Sequence, residues 1–189
     1  MMRLRLLQVA CISSLAICFG GAHAEVQKTL YMCGTNKLCP FMKLIFTPPD
    51  GWVIDKEATN RKKMQIMVPK GTNFSNAQPL IYIEVSWHKD KQEPLAEFVR
   101  VSNEHWQTSS RDTKISERPA VECTNGKPAF LSFFYENPSN SQQAYEVVSF
   151  GLDSDNDNNE FVVTVGMTAN SKKAIERADK DYVAFLAAH

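Results

Sequence analysis

The side chains able to do chemistry are few in this chain, and the densest group is Asp153-Ser154-Asp155-Asn156-Asp157-Asn158-Asn159-Glu160. It sets Asp153, Asp155 and Asp157 at alternate positions, a spacing from which carboxylates can converge on a hard cation such as calcium. An EF-hand loop needs glycine at its sixth position and a bidentate glutamate at its twelfth, where this chain has Asn158 and Thr164, so that loop type is excluded. A looser calcium loop is the sharper reading of the three aspartates. The preferred one is a solvated hairpin turn, because Asp and Asn tolerate left-handed backbone and cap their own turns. Zinc is not expected: His88, His105 and His189 are far apart, with no C-x-x-C or H-E-x-x-H spacing near them. No metal and no cofactor is assigned.

Covalent catalysis needs a nucleophile beside a base, and a hydrolase often shows it as G-x-S-x-G, which this chain lacks. G-x-G-x-x-G and the Walker spacing are also missing, so nucleotide phosphates have no glycine cradle. The enzymatic alternative is a small hydrolase that assembles Cys123 with His88 or His105, or pairs dispersed carboxylates, through folding alone. The preferred reading makes Cys123 a small buried hydrophobe and each of these histidines a surface or boundary residue.

Recognition through surface remains. Phe130, Phe133, Phe134 and Tyr135 crowd one segment, and in a strand neighbouring side chains point to opposite faces, so both faces of that strand carry aromatics. Burial under helices on both sides accounts for this without a ligand. A partner groove is the alternative, since two helices are little cover for a sheet of about six strands. Trp87 and Trp106 are expected as core or edge anchors, and Trp52 as the pin of the Pro48-Pro49-Asp50-Gly51 turn.

The elements that position these groups follow from periodicity. After Glu93-Pro94, residues Leu95, Phe98, Val99 and Trp106 fall near one helical face. After Asn170-Ser171, a second helix repeats Ala174, Ile175, Ala178, Tyr182, Phe185 and Leu186 at intervals of three and four. Strands are expected at residues 42–46, 64–68, 80–88, 129–136, 144–152 and 160–169, all rich in β-branched and aromatic residues. The last three are joined by the turns 137–141 and 153–159, short enough for an antiparallel meander. Helices that follow runs of strands place the chain in the α+β class.

The conditions around the protein are set by its first residues. Arg3 and Arg5, the apolar run from Leu6 to Phe19, and Ala22-His23-Ala24 have the layout of a secretory signal peptide, so residues 1–24 are expected to be removed and 25–189 to form one domain. The run is short of the 20 or so apolar residues a membrane span needs, so a periplasmic or secreted protein without a stable anchor is expected. Outside the cell Cys33, Cys39 and Cys123 meet oxidising conditions. A bridge between Cys33 and Cys39 is favoured, worth about 2 kcal/mol because its loop is short, and Cys123 is then a free thiol. The full chain balances 21 Lys plus Arg against 21 Asp plus Glu; loss of Arg3 and Arg5 would leave a charge of −2. Such a surface has no field to gather polyanions, so nucleic acid is not an expected partner, and Arg61-Lys62-Lys63 reads as a solvated turn.

Three stretches carry a resemblance to the PsbP/Mog1/DcrB-like group: Phe46-Thr47-Pro48-Pro49-Asp50-Gly51-Trp52, Pro94-Leu95-Ala96-Glu97-Phe98, and Val162-Val163-Thr164-Val165 followed by Asn170-Ser171 and the terminal helix. The resemblance runs from about Met42 to Ala188. It implies an antiparallel sheet flanked by helices, an α/β/α sandwich, and a binding or accessory role with no catalytic motif to transfer. The expectation is therefore a non-catalytic periplasmic or secreted protein that recognises a protein or an envelope component; nothing in the sequence assigns its oligomeric state.

Overall fold

The computed structural model describes residues 25–88, 93–137, 139–140 and 143–189, and for 25 and 32–34 the backbone alone. The expected leader, residues 1–24, lies outside them, as do 138 and 141 of the expected turn 137–141. In chain order the elements are β1 (Glu25–Gly34), β2 (Lys37–Ile45), β3 (Trp52–Ile54), α1 (Lys56–Lys62), β4 (Gln65–Pro69), β5 (Leu80–Trp87), α2 (Leu95–Ser109), β6 (Lys114–Val121), β7 (Phe130–Glu136), β8 (Tyr145–Ser154), β9 (Glu160–Ala169) and α3 (Lys172–Ala187). Seven strands form one sheet in the order β3-β4-β5-β9-β8-β7-β6, and β1 and β2 form a separate hairpin. Every pairing is antiparallel. The α+β class holds, and β7, β8 and β9 make the expected meander.

Alternation along the central strands sorts side chains onto two faces. In β8, Val147 joins the cluster beneath α3, while Val148 and Phe150 join the one beneath α2. Helix α3 buries Ile175, Tyr182, Phe185 and Leu186 on the first face, at about 1.5–3 kcal/mol for each large apolar side chain removed from water. The Tyr182 hydroxyl is satisfied there, donating to the Val165 carbonyl at 2.7 Å and lying 2.9 Å from Ser149 Oγ. Helix α2 covers the second face with Val99, Leu95, Phe98 and Trp106. Both helices begin where proline or serine was expected to start them, at Pro94 and Ser171.

Four elements were not foreseen. The helix α1 is only seven residues, too short to show a periodic face, and is held by Asp55, whose carboxylate accepts from Ala58 N at 2.9 Å. Strand β3 has three residues. The strand β6, Lys-Ile-Ser-Glu-Arg-Pro-Ala-Val, reads as a loop because an edge strand buries little and tolerates charge and proline. The hairpin of β1 and β2 lies on the α3 face, burying Val26 and Leu44 in that cluster. Gln65 ties it down: its Oε1 accepts from Leu44 N at 2.7 Å and its Nε2 donates to Leu44 O at 2.9 Å, in a buried position.

Candidate functional site

The three aspartates do not meet. Asp153, the last-but-one residue of β8, has a buried side chain whose carboxylate receives Lys127 Nζ at 2.7 Å. Asp155 instead organises the turn, accepting from Asp157 N at 3.0 Å and from Asn159 N and Nδ2 at 2.9 Å. Those hydrogen bonds to its charged form hold the Asp155 carboxyl below its usual range, and Asn158 takes the left-handed backbone (φ 57°). In the loop Asp153, Asp155, Asp157, one carboxylate points into the fold and another is spent on the turn. Among the described residues, no group of three or more His, Cys, Asp or Glu is placed to hold a metal ion.

The histidines separate as well. His105 is exposed on α2. His88 is buried rather than at the surface, with Nδ1 2.5 Å from Glu160 Oε1 and its backbone N–H donating to Glu160 O at 3.0 Å. It clips the end of β5 to the start of β9. His189 is buried beside Phe130, ring centroids 5.4 Å apart, and Asn125 Nδ2 donates to its carbonyl. Its Nε2 is 3.3 Å from Asp153 Oδ2 without hydrogen-bond alignment. Burial, helped by the Lys127 charge and opposed by Asp153, lowers the imidazole to about 4, so the ring is neutral at pH 7. Cys123 is a free thiol that donates to the Pro128 carbonyl at 3.3 Å. Burial pushes its pKa up, chiefly by desolvation, which suppresses the thiolate a nucleophile requires. The side chain of Cys33 lies outside the described residues.

The aromatic strand divides in two. Phe130 and Tyr135 are buried, the first under α3 and the second under α2 with its hydroxyl on Asn103 Oδ1, so neither offers surface to a partner. Phe133 and Phe134 are half-buried on opposite faces. Each borders a groove, because seven strands at about 4.8 Å spacing span roughly 29 Å while a helix with its side chains is only about 10 Å wide. The β6 margin therefore overhangs its cover on both sides. On the α2 side a groove of about 370 Å³ runs between α2 and β6, with Val99, Leu131 and Phe133 as its floor and Ala96 and Ala120 at its mouth. On the α3 side a groove of about 330 Å³ has Phe134, Val147 and Ile175 as its floor, with Arg118 and Lys172 beside it. Arg118 Nη2 forks onto Asp179 of α3 at 2.8 and 2.9 Å, and Lys172 Nζ sits 5.6 Å from the Phe134 ring centre.

One buried group escaped the sequence reading. Glu146 lies in β8 among apolar residues, opposite Tyr135 and Thr168, and its side chain accepts from the Tyr82 hydroxyl. Tyr82 reaches it by crossing β9 at Gly166, where any side chain would run into the Tyr82 ring. Desolvation raises the Glu146 carboxyl to about 7, against the lowering effect of the Tyr82 hydrogen bond. The only signal was a lone acid alternating with Val148 and Phe150. Among the described residues Trp87 is also unlike its expectation, 55% exposed, whereas Trp52 is buried and donates from Nε1 to Asp181 at 3.3 Å. Arg61, Lys62 and Lys63 end α1 and lie over the rings of Phe74 and Tyr31.

No protein family matches this chain, and no curated protein matches it either. Among the described residues, no helix is long and apolar enough to cross a membrane.

Proposed function

We propose that this chain is a non-catalytic binding or accessory protein of the periplasm or the extracellular space, which recognises a protein or an envelope component through the β6 margin of its sheet. One observation carries the reading: the two grooves beside β6 keep Phe133 and Phe134 half-exposed on apolar floors at a strand edge. The hydrolase alternative is less well supported, because burial raises the Cys123 thiol and hydrogen-bonds it to a carbonyl. Export rests on the leader-like residues 1–24, with 25–189 as the working domain. The bridge between Cys33 and Cys39 belongs to the same reading. In its support, the hairpin brings the two segments alongside each other, with Cys39 opposite Tyr31 and Cys33 in the irregularity between Met32 and Gly34. The order of elements, with helices on both faces of an antiparallel sheet, supports a PsbP/Mog1/DcrB-like layout.

The groove test uses Ala96 and Ala120, exposed residues at the mouth of the α2-side groove whose replacement leaves the core alone. With the purified protein as bait on an envelope extract, Ala96→Arg and Ala120→Trp should each reduce the captured partner at least fivefold while the melting temperature stays within a few degrees. Capture that is indifferent to both substitutions would move the binding surface elsewhere.

A further inference from the structure

The hairpin of β1 and β2 is buried at its foot and bare near its tip. Directly opposed residues of an antiparallel pair share a face, so the side that begins with Val26 and Leu44, buried on the sheet, continues through Lys28 and Met42 to Leu30 and Pro40, and then to Leu38. Leu30 lies four residues past Val26, about 13 Å further along the strand. There the cover ends: Leu30 is 62% exposed and Leu38 is 59% exposed. A face that is apolar and buried at one end thus runs out into water as a convex apolar tip.

Basic side chains accompany that tip. Lys63, the left-handed residue that ends α1, reaches over the Tyr31 ring at 4.1 Å, which joins Arg61-Lys62-Lys63 to the hairpin and its own Lys28, Lys37 and Lys43. Four acids lie in the same stretch: Glu25 at the foot of the hairpin opposite Ile45, Asp50 in the turn before β3, Asp55 capping α1, and Glu57 paired with Arg61. Even with all four counted, residues 25–63 hold seven Lys and Arg, a charge of +3, whereas residues 64–189 hold twelve against seventeen Asp and Glu, a charge of −5. Glu84 of the nearby β5 alternates with Ile83 and Val85 of the α3-side cluster, so it faces away, on the side of the sheet opposite the hairpin. The molecule is polarised, and its apolar tip belongs to the positive part.

Convexity selects the occupant. Small ligands are held in concave sites, and two leucines fall far short of the roughly 800 Å² per partner that a stable protein interface buries. A bilayer needs no groove, because its headgroup layer parts around an apolar side chain, and an anionic surface attracts each lysine that comes within a Debye length. We infer that, independently of the β6 grooves, the hairpin inserts Leu30 and Leu38 into the surface of an anionic lipid layer, with Lys28, Lys43, Lys62 and Lys63 against its phosphates. The negative remainder of the molecule is repelled by the same surface, which orients the domain tip-first.

Cosedimentation with lipid vesicles, using the protein recovered outside the cytoplasm, tests this. Binding to phosphatidylcholine vesicles containing about one quarter phosphatidylglycerol should exceed binding to pure phosphatidylcholine at least tenfold, and should weaken as salt rises from about 0.05 to 0.5 M, which screens exposed charges. Two double variants separate insertion from attraction: Leu30→Ser with Leu38→Ser, and Lys28→Glu with Lys62→Glu. Each should lose at least tenfold in vesicle binding while the melting temperature stays within a few degrees, since all four side chains are exposed. Equal binding to the two kinds of vesicle, or anionic-vesicle binding that survives the leucine substitutions, overturns the inference. Absence of vesicle binding, together with a dimer or a captured acidic protein that the leucine substitutions release, would give the tip to a second copy or to a protein and overturn it equally.

Discussion

Glu146 shows most clearly how burial changes the behaviour of a single side chain. A buried carboxylate opposite Tyr135, with a tyrosine hydroxyl as its donor, binds a proton more readily folded than unfolded, and its pKa rises to about 7. A raised carboxyl stabilises the fold most below its unfolded pKa, and that contribution is lost as pH climbs through the folded value. Between about pH 4.5 and 7 this costs on the order of 3 kcal/mol. His189 acts in the opposite sense: lowered to about 4, it contributes stability above its unfolded pKa that is lost as pH falls from 6.5 toward 4. Glu146→Gln keeps an acceptor for Tyr82 and removes the titration, so the difference in unfolding free energy between variant and parent should grow in the variant's favour from pH 5 to 8, by about 2–3 kcal/mol. Urea unfolding at four pH values measures it, and parallel curves would refute the assignment.

The helices α2 and α3 were legible because their apolar residues repeat over four turns, and β5, β7, β8 and β9 because both their faces are apolar. The strand expected at 42–46 is the second half of β2, but its hairpin with β1 was not legible, since the contact with the sheet depends on Val26, Leu44 and the side chain of Gln65, residues with no local pattern between them. Gln65 imitates a strand neighbour by giving and receiving one hydrogen bond at Leu44. Gln65→Ala would leave the Leu44 backbone groups unsatisfied where water is scarce, costing about 2–4 kcal/mol. The expected result in hydrogen exchange is faster exchange at Leu44 and its β2 neighbours, with β8 and β9 unchanged. Uniform loss of protection through the sheet would mean that the hairpin is part of the central cooperative unit rather than docked on it.

Taken together, the seven strands, three described helices and hairpin explain why the candidate surface lies where it does. The central strands β9 and β8 are covered on both faces, while the β6 margin reaches beyond α2 on one side and α3 on the other. The catalytic candidates are spread across the sheet: Cys123 after β6, His88 at the end of β5 and His105 on α2. The export proposed above is tested by mass. The intact mass of the protein recovered outside the cytoplasm should correspond to a chain beginning at Glu25, two mass units lighter than the reduced form for one disulfide; a mass that retains residues 1–24 counts against release.

The class of fold and its two long helices were available from residue order, because periodicity is a local property that a chain carries whether or not it is folded. The isolation of Asp153 from Asp155, the burial of His88, the burial of Phe130 and Tyr135 where Phe133 and Phe134 stay half-exposed, and the raised carboxyl of Glu146 were not. Each depends on which distant segment covers a given side chain: Lys127 at Asp153, Glu160 at His88, α2 and α3 over β7, and Tyr82 across Gly166 at Glu146. Desolvation and long-range pairing arise only when those segments close on one another, so no spacing within the chain could encode them for a reader of the sequence alone.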